Sequence, residues 1–274
     1  MKRESPSDGE KHKYLSDDRS FLQQFVYHAE MPSKTVNSEV KEEVTAISPF
    51  VAPYPNRYRD KFSTPCNDCF TQCRVCPHNG EGRLKLLIVG LNPSEHAWKS
   101  GNMYSNPTNR MWKILTGTLL PSPESKGIIK STLSINDQNS LPKEYGIGFC
   151  DVGIVPGNQS DSFSKEELQK WRIDFIRRLR NHLKRVCREE HNDPKCSLSC
   201  HAPRIVLFAG KKQFCVLTGK STASTGLQSS LPSDWPFGRA SKVFVCPSSS
   251  GRVVMKREEL MKCYERVFEE VRAL

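Results

Sequence analysis

Leu86-Leu87-Ile88-Val89-Gly90-Leu91-Asn92-Pro93-Ser94 is an aliphatic run that stops at a glycine, presents an amide and turns at a proline. About four to eight aliphatic residues closed by turn chemistry mark a strand buried on both faces of a parallel sheet, and ligands bind at the C-terminal ends of such strands. Asn92 therefore stands at the ligand-facing edge.

Working outward, the stretches 204–209 and 242–246 repeat the aliphatic pattern, and the glycine-broken run 145–155 reads as a loop with a short strand. Helical spacing lies between them. The segment 109–120 sets Met111, Ile114, Leu115 and Thr118 on one side, behind Pro107. Ser164-Lys165-Glu166-Glu167 is a capping box that opens the longest helix, with Leu168, Phe175, Ile176, Leu179, Leu183 and Val186 as its apolar stripe and Arg172, Arg177, Arg178, Arg180, Lys184 and Arg185 around it. A last helix over 256–272 buries Leu260, Tyr264, Val267, Phe268 and Val271. Strands alternating with helices predict an α/β fold, a three-layer sandwich with a central, mostly parallel sheet flanked by helices. In such a sheet the loops after the first and last strands open on the same edge and form two walls of one cleft. The first wall offers Asn92, Tyr104 and Asn109; the second offers Ser248, Ser249, Ser250, Gly251 and Arg252.

The chain of 274 residues holds one good-sized core. Its formal charge of +11 is uneven, because residues 1–60 carry 9 Lys and Arg against 10 Asp and Glu. The basic excess thus belongs to the body, which points to a polyanionic partner, nucleic acid first. Residues 1–60, rich in Ser, Pro, Lys and Glu, read as a mostly disordered tail, with 20–26 as a short helical or docking patch. No stretch approaches the roughly 18 consecutive apolar residues of a membrane span, and Met1-Lys2-Arg3-Glu4 leads into polar sequence, so a soluble, intracellular protein is expected.

Eleven cysteines in a reducing compartment serve as core residues or metal ligands more often than as disulfides. Cys66, Cys69, Cys73 and Cys76 form two C-x-x-C knuckles within the Cys-rich segment 61–82. A structural zinc is the first expectation, with an iron-sulfur cluster, or zinc sharing ligands with a remote pair, as alternatives. That remote set is Cys187, His191, Cys196, Cys200 and His201, in an insertion over 187–203.

Four ordered motifs carry a resemblance: Gly90-Leu91-Asn92-Pro93, then 106–113 (Asn-Pro-Thr-Asn-Arg-Met-Trp-Lys), 141–149 (Leu-Pro-Lys-Glu-Tyr-Gly-Ile-Gly-Phe) and 247–252 (Pro-Ser-Ser-Ser-Gly-Arg). Residues 83–274 resemble the mismatch-specific thymine/uracil-DNA glycosylases, a branch of the uracil-DNA glycosylase superfamily. The resemblance implies an enzyme that flips a mismatched pyrimidine out of double-stranded DNA and hydrolyses its N-glycosyl bond, with no catalytic cofactor. Asn92 matches the catalytic amide, and Pro93 and Ser94 match its pocket floor. Tyr104 matches the aromatic platform and Asn109 the amide that reads the base. Ser248, Ser249, Ser250 and Gly251 match the phosphate-gripping loop, and Arg252 matches the wedge.

Departures from the family pattern bear on the substrate. Ser94 stands where glycine is usual, and Met103 stands where thymine-processing members often carry histidine. The segment after Phe149 is shorter and lacks an acidic-arginine pair, and the Cys-rich segment is not a hallmark of this branch. The expected partner is duplex DNA with a mismatched or damaged base, handed on to abasic-site repair enzymes by a nuclear monomer that touches no membrane. The alternatives are a catalytically weak or inactive nucleic-acid-binding module of the same fold, and a zinc-dependent interaction protein.

Overall fold

The computed structural model describes residues 84–121, 126–191 and 202–274. The tail 1–60, the Cys-rich segment with Cys66, Cys69, Cys73 and Cys76, and the ligand candidates Cys196, Cys200 and His201 lie outside those residues. Cys187 and His191 fall on a helix, but their side chains are also outside the description. Among the described residues no group of three or more His, Cys, Asp or Glu side chains is placed to hold a metal. No helix among them is long and apolar enough to cross a membrane.

The aliphatic run folds as β1 (Leu86–Gly90), every residue of it buried. It pairs in parallel with β2 (Ile147–Asp151) on one side and β3 (Ile205–Phe208) on the other. Beyond β3 lies β5 (Lys242–Val245), also parallel, and then the two-residue β4 (Gly226–Leu227), antiparallel at the edge, for the order β2-β1-β3-β5-β4. The central position of β1 explains its composition, since a strand covered on both faces has no position for a polar side chain.

Alternation along the strands splits the core into two layers. Leu86, Ile88, Ile147, Phe149, Ile205, Leu207 and Phe244 point to one face. There they meet Leu260, Met261, Tyr264, Val267, Phe268 and Val271 of α6 (Arg257–Arg272), the face expected for the last helix with Met261 added. Leu87, Val89, Cys150, Val206, Phe208, Val243 and Val245 point to the other, against Trp171, Phe175, Ile176, Leu179 and Leu183 of α4 (Lys165–His191). A buried aromatic such as Phe149 stabilises by several kcal/mol, so Phe149→Ala costs about 3–5 kcal/mol.

The capping box is formed: Ser164 N donates to Glu167 Oε2 at 2.7 Å, and Glu167 N to Ser164 Oγ at 3.1 Å. The basic face of α4 is more internal than its sequence suggests. Arg172 donates to Leu217 O and pairs with Asp234 at 2.7 Å, while Arg178 donates to Asp151 O and Val152 O at the end of β2. The Arg178 guanidinium braces the end of β2, and Arg172 ties the helix to Leu217 and Asp234.

Three short helices depart from the pattern reading. The loop expected after β1 contains α1 (Glu95–Ser100), with Ser94 as N-cap and Gly101 closing it at φ 73°. The helix expected over 109–120 is only α2 (Met111–Leu115), because the chain reverses at Gly117, φ 74°, and Ile128 and Ile129 donate back to Leu115 O. Pro142 begins α3 (Leu141–Tyr145), which leads into β2. α5 (Lys211–Thr218) follows β3.

Candidate active site

A cavity of about 490 Å3 opens at the C-terminal edge of the sheet. The loop after β1 supplies its first wall, and Asn92 sits at the turn. Its Nδ2 lies 3.1 Å from each of three carbonyl oxygens, those of Pro93, Val155 and Gly157. Only an NH2 group suits three acceptors, so the amide has one permitted orientation, with Oδ1 left as its acceptor. Ser94 Oγ accepts from Ala97 N at 3.1 Å. The side chain that replaces the usual glycine thus caps a helix while it lines the cavity.

Tyr104 is the non-glycine residue with positive φ, 59°, among the described residues. Strain of this kind persists only where neighbours over-determine it. Here the neighbour is Gln138, wholly buried, whose side chain pairs both ways with the Met103 backbone: Met103 N donates to Oε1 and Nε2 donates to Met103 O, each at 2.8 Å. Met103 itself is a core residue, 1% exposed. The Tyr104 ring leans on Phe149, 6.0 Å between centroids, and its buried hydroxyl has no hydrogen-bond partner. Burial, then the charge of Asp151, hold that hydroxyl well above the ordinary tyrosine range, so it stays neutral.

Asn109 follows a turn in which Asn106 Oδ1 accepts from Thr108 N and Oγ1. Its own Oδ1 accepts from Met111 N and from Ser249 Oγ, both at 2.9 Å. Two lone pairs are used, which leaves Nδ2 as the free donor of this cavity-lining side chain.

The loop 247–255 is the second wall. Arg110 organises it: its backbone N donates to Ser249 O, and its guanidinium donates to Ser250 O, Val253 O and Met255 O at 2.9, 2.9 and 3.3 Å. Gly251 lies so close to the first wall that a Cβ there would stand 2.6 Å from Thr108 O. Ser248 and Ser250 are partly exposed and Arg252 is exposed. Ser249 corrects the sequence reading, because it is 1% exposed and its hydroxyl is committed to Asn109. It is a brace inside the wall and presents no hydroxyl to a phosphate. Arg252 Nη1 reaches across the mouth to Asn158 O at 2.7 Å.

The cavity therefore gathers Asn92, Pro93, Ser94, Tyr104, Asn109, Ser248, Ser249, Ser250, Gly251 and Arg252, as the motif order predicts. Four contributors escape the sequence reading. Arg110 sits inside a recognised motif but acts on a loop about 140 residues away. Gln138 lies in a polar stretch with no periodicity. Asp151 ends β2 and lines the cavity at 3% exposure. Lys212, at the start of α5, donates to Ser160 O and to Asp161 Oδ1 and so ties α5 to the cavity-lining turn at Ser160. An acidic residue at the end of an apolar strand was the one available signal, for Asp151.

Residues 77–272 match the family model described as the uracil DNA glycosylase superfamily, and the chain belongs to that superfamily. A relative from Schizosaccharomyces pombe, a G/U mismatch-specific uracil DNA glycosylase, is 30% identical over 178 residues. The match takes in 63% of this chain and 46% of that relative, so the chain spans less than half of the relative's length.

Proposed function

We propose that this member of the superfamily is a monofunctional DNA glycosylase that flips uracil or thymine mismatched with guanine out of the duplex and hydrolyses the bond to deoxyribose, leaving an abasic site. The observation that carries the reading is the Asn92 amide, which lines the cavity and is oriented by three carbonyls so that Oδ1 is left as its acceptor. A target base inside a duplex is out of reach, so the nucleotide must rotate out, at a few kcal/mol that a mismatch largely spares. Tyr104 then offers a ring for the base, a contact of about 1–3 kcal/mol.

Asn92 Oδ1 accepts from a water and orients its lone pair toward C1′. An amide is too weak a base to deprotonate water outright. Its contribution is positional while the glycosidic bond breaks largely by dissociation. The departing base anion is stabilised by backbone N–H groups of the turn that follows Pro93. Ser248, Ser250 and Gly251 grip the strand backbone, and Arg252 fills the vacated stack with a planar guanidinium.

The sequence-based expectations of a structural zinc or iron-sulfur site at Cys66, Cys69, Cys73 and Cys76, and of a nuclear monomer, stand as proposals beside this one. The test of activity is direct. Duplex oligonucleotides carrying G·U, G·T, A·U or G·C are incubated with the protein and abasic sites are revealed by alkaline cleavage. Cleavage of G·U and not of G·C is expected; salt-sensitive binding with no abasic product sinks the enzyme reading in favour of a binding module.

A further inference from the structure

Arg110 carries a charge that no carboxylate balances among the described residues. Its half-buried guanidinium donates only to backbone carbonyls, those of Ser250, Val253 and Met255. Its Nε is buried without a hydrogen-bond partner. A cation withdrawn from water is costly unless an opposite charge compensates it, and carbonyl oxygens offer only partial charge. The segment 247–257 that wraps the guanidinium adds Arg252, Lys256 and Arg257 and contains no Asp or Glu.

The backbone directs this charge toward the surface. In a trans peptide unit the C=O and the following N–H point in opposite directions. The carbonyls of Ser250, Val253 and Met255 face the guanidinium, so the N–H groups of Gly251, Val254 and Lys256 face away from it. None of those three N–H groups donates to another group among the described residues. Gly251, Arg252, Val254 and Lys256 are all exposed, so the three donors stand on the outer side of the loop. Each is polarised by the cation behind its carbonyl, and backbone N–H groups gathered in this way bind anions. Tyr264, wholly buried, donates to Pro247 O at 2.9 Å and fixes the start of the same loop from the core side.

Resting on the reading that the ligand is duplex DNA, we infer that Arg110 is a recessed phosphate-binding cation: its charge is balanced by a backbone phosphate of the bound duplex, which docks on the N–H groups of Gly251, Val254 and Lys256 without touching the guanidinium. Arg110 is thus more than a bracket for the loop. A bracket needs donors, whereas a counter-charge needs a full positive charge. Arg110→Lys keeps the charge and loses the planar fork, and Arg110→Gln keeps a donor and loses the charge.

The test is a scan of backbone charge with the full chain as wild type, Arg110→Lys and Arg110→Gln. Duplexes carry guanine opposite a 2′-fluoro uridine that resists excision, with one phosphate at a time replaced by an uncharged methylphosphonate, and Kd is read by fluorescence anisotropy. Wild type loses about tenfold in affinity at several positions, as charged contacts to phosphate do. Arg110→Gln binds the unmodified duplex about tenfold more weakly, is insensitive at one of those positions and keeps the others; Arg110→Lys stays sensitive at all of them. The dependence of log Kd on log salt also falls by about one in the Gln variant. Thermal unfolding checks that each variant is folded. Sensitivity in Arg110→Gln that matches wild type at every position overturns the assignment, as does a Lys variant that loses the same position as the Gln variant. The measurement reads binding alone, so this pattern in a protein that excises no base would sink the glycosylase reading and leave the phosphate site in place.

Discussion

The two walls of the cleft are built in different ways. On the first, the cavity-lining side chains are held from one side: Asn92 through Nδ2, Asn109 through Oδ1, and Tyr104 through the Gln138 clamp on the preceding residue. The second hangs on Arg110, which holds three carbonyls of the 247–255 loop while Arg252 and its neighbours stay exposed. Chemistry needs preorganised groups whose positions cost nothing at the moment of reaction, whereas a surface that must follow a bending DNA strand works with long cationic side chains. On the glycosylase reading proposed above, the first wall would set the rate, and the second DNA affinity and flipping.

Asn92→Ala is the hardest test of that division. Excision should fall by about a thousandfold, the upper range for losing one oriented polar group, while DNA affinity stays within a few-fold. Retained turnover in that variant would remove the mechanism. Arg110→Ala comes next: loss of several charge-assisted hydrogen bonds to partly buried carbonyls should cost about 2–4 kcal/mol of stability, read as a lowered Tm, and weaken DNA binding more than the chemical step. Gln138→Leu should release the Met103 backbone and cost about 1–3 kcal/mol, with a lower excision rate and unchanged affinity, the opposite pairing. Arg252→Ala should leave Tm unchanged and slow excision by about tenfold, more on A·U than on G·U, since the mismatch already spares part of the unstacking. Equal losses on both substrates would mean that Arg252 is not a wedge.

The smallest effect is electrostatic and sits on the rim. The Lys212 ammonium, by hydrogen bond and charge, holds the Asp161 carboxyl below the usual carboxylate range. A folded-state pKa lowered in this way contributes stability above the unfolded carboxylate pKa, and the contribution is lost as pH falls through the lowered value. The Asp161 carboxylate is solvated, so Lys212→Met should lower Tm slightly at neutral pH and by less in strong acid, where only the bond to Ser160 O is at stake. A Tm difference that grows on acidification would contradict the pairing.

Much of this arrangement is legible in residue order. β1, β3, β5, α4 and α6 fall where aliphatic runs, the capping box and helical spacing put them, because those signals are local. The assigned residues of both walls line one cavity, because parallel strands send every following loop to the same edge. What was not legible has partners far along the chain. Gln138 acts 35 residues from Met103 and Arg110 acts 145 residues from Met255, and neither carries a periodic signature. Ser249 was read as a phosphate contact because nothing local distinguishes it from Ser248 and Ser250; its burial against Asn109 separates them.

The order of residues by itself determined the sheet, its central strand and the identity of Asn92 as the amide at its mouth, since apolar runs and turn residues act within a few positions of themselves. Which atom of each amide is left to a ligand was decided only by the tertiary structure. Three carbonyls from two loops turn Asn92 into an acceptor, a hydroxyl from the opposite wall turns Asn109 into a donor, and the strand register sets Asp151 against Gly90. A side-chain amide or carboxyl is chemically ambiguous until its other hydrogen-bonding positions are filled, and only packed neighbours fill them.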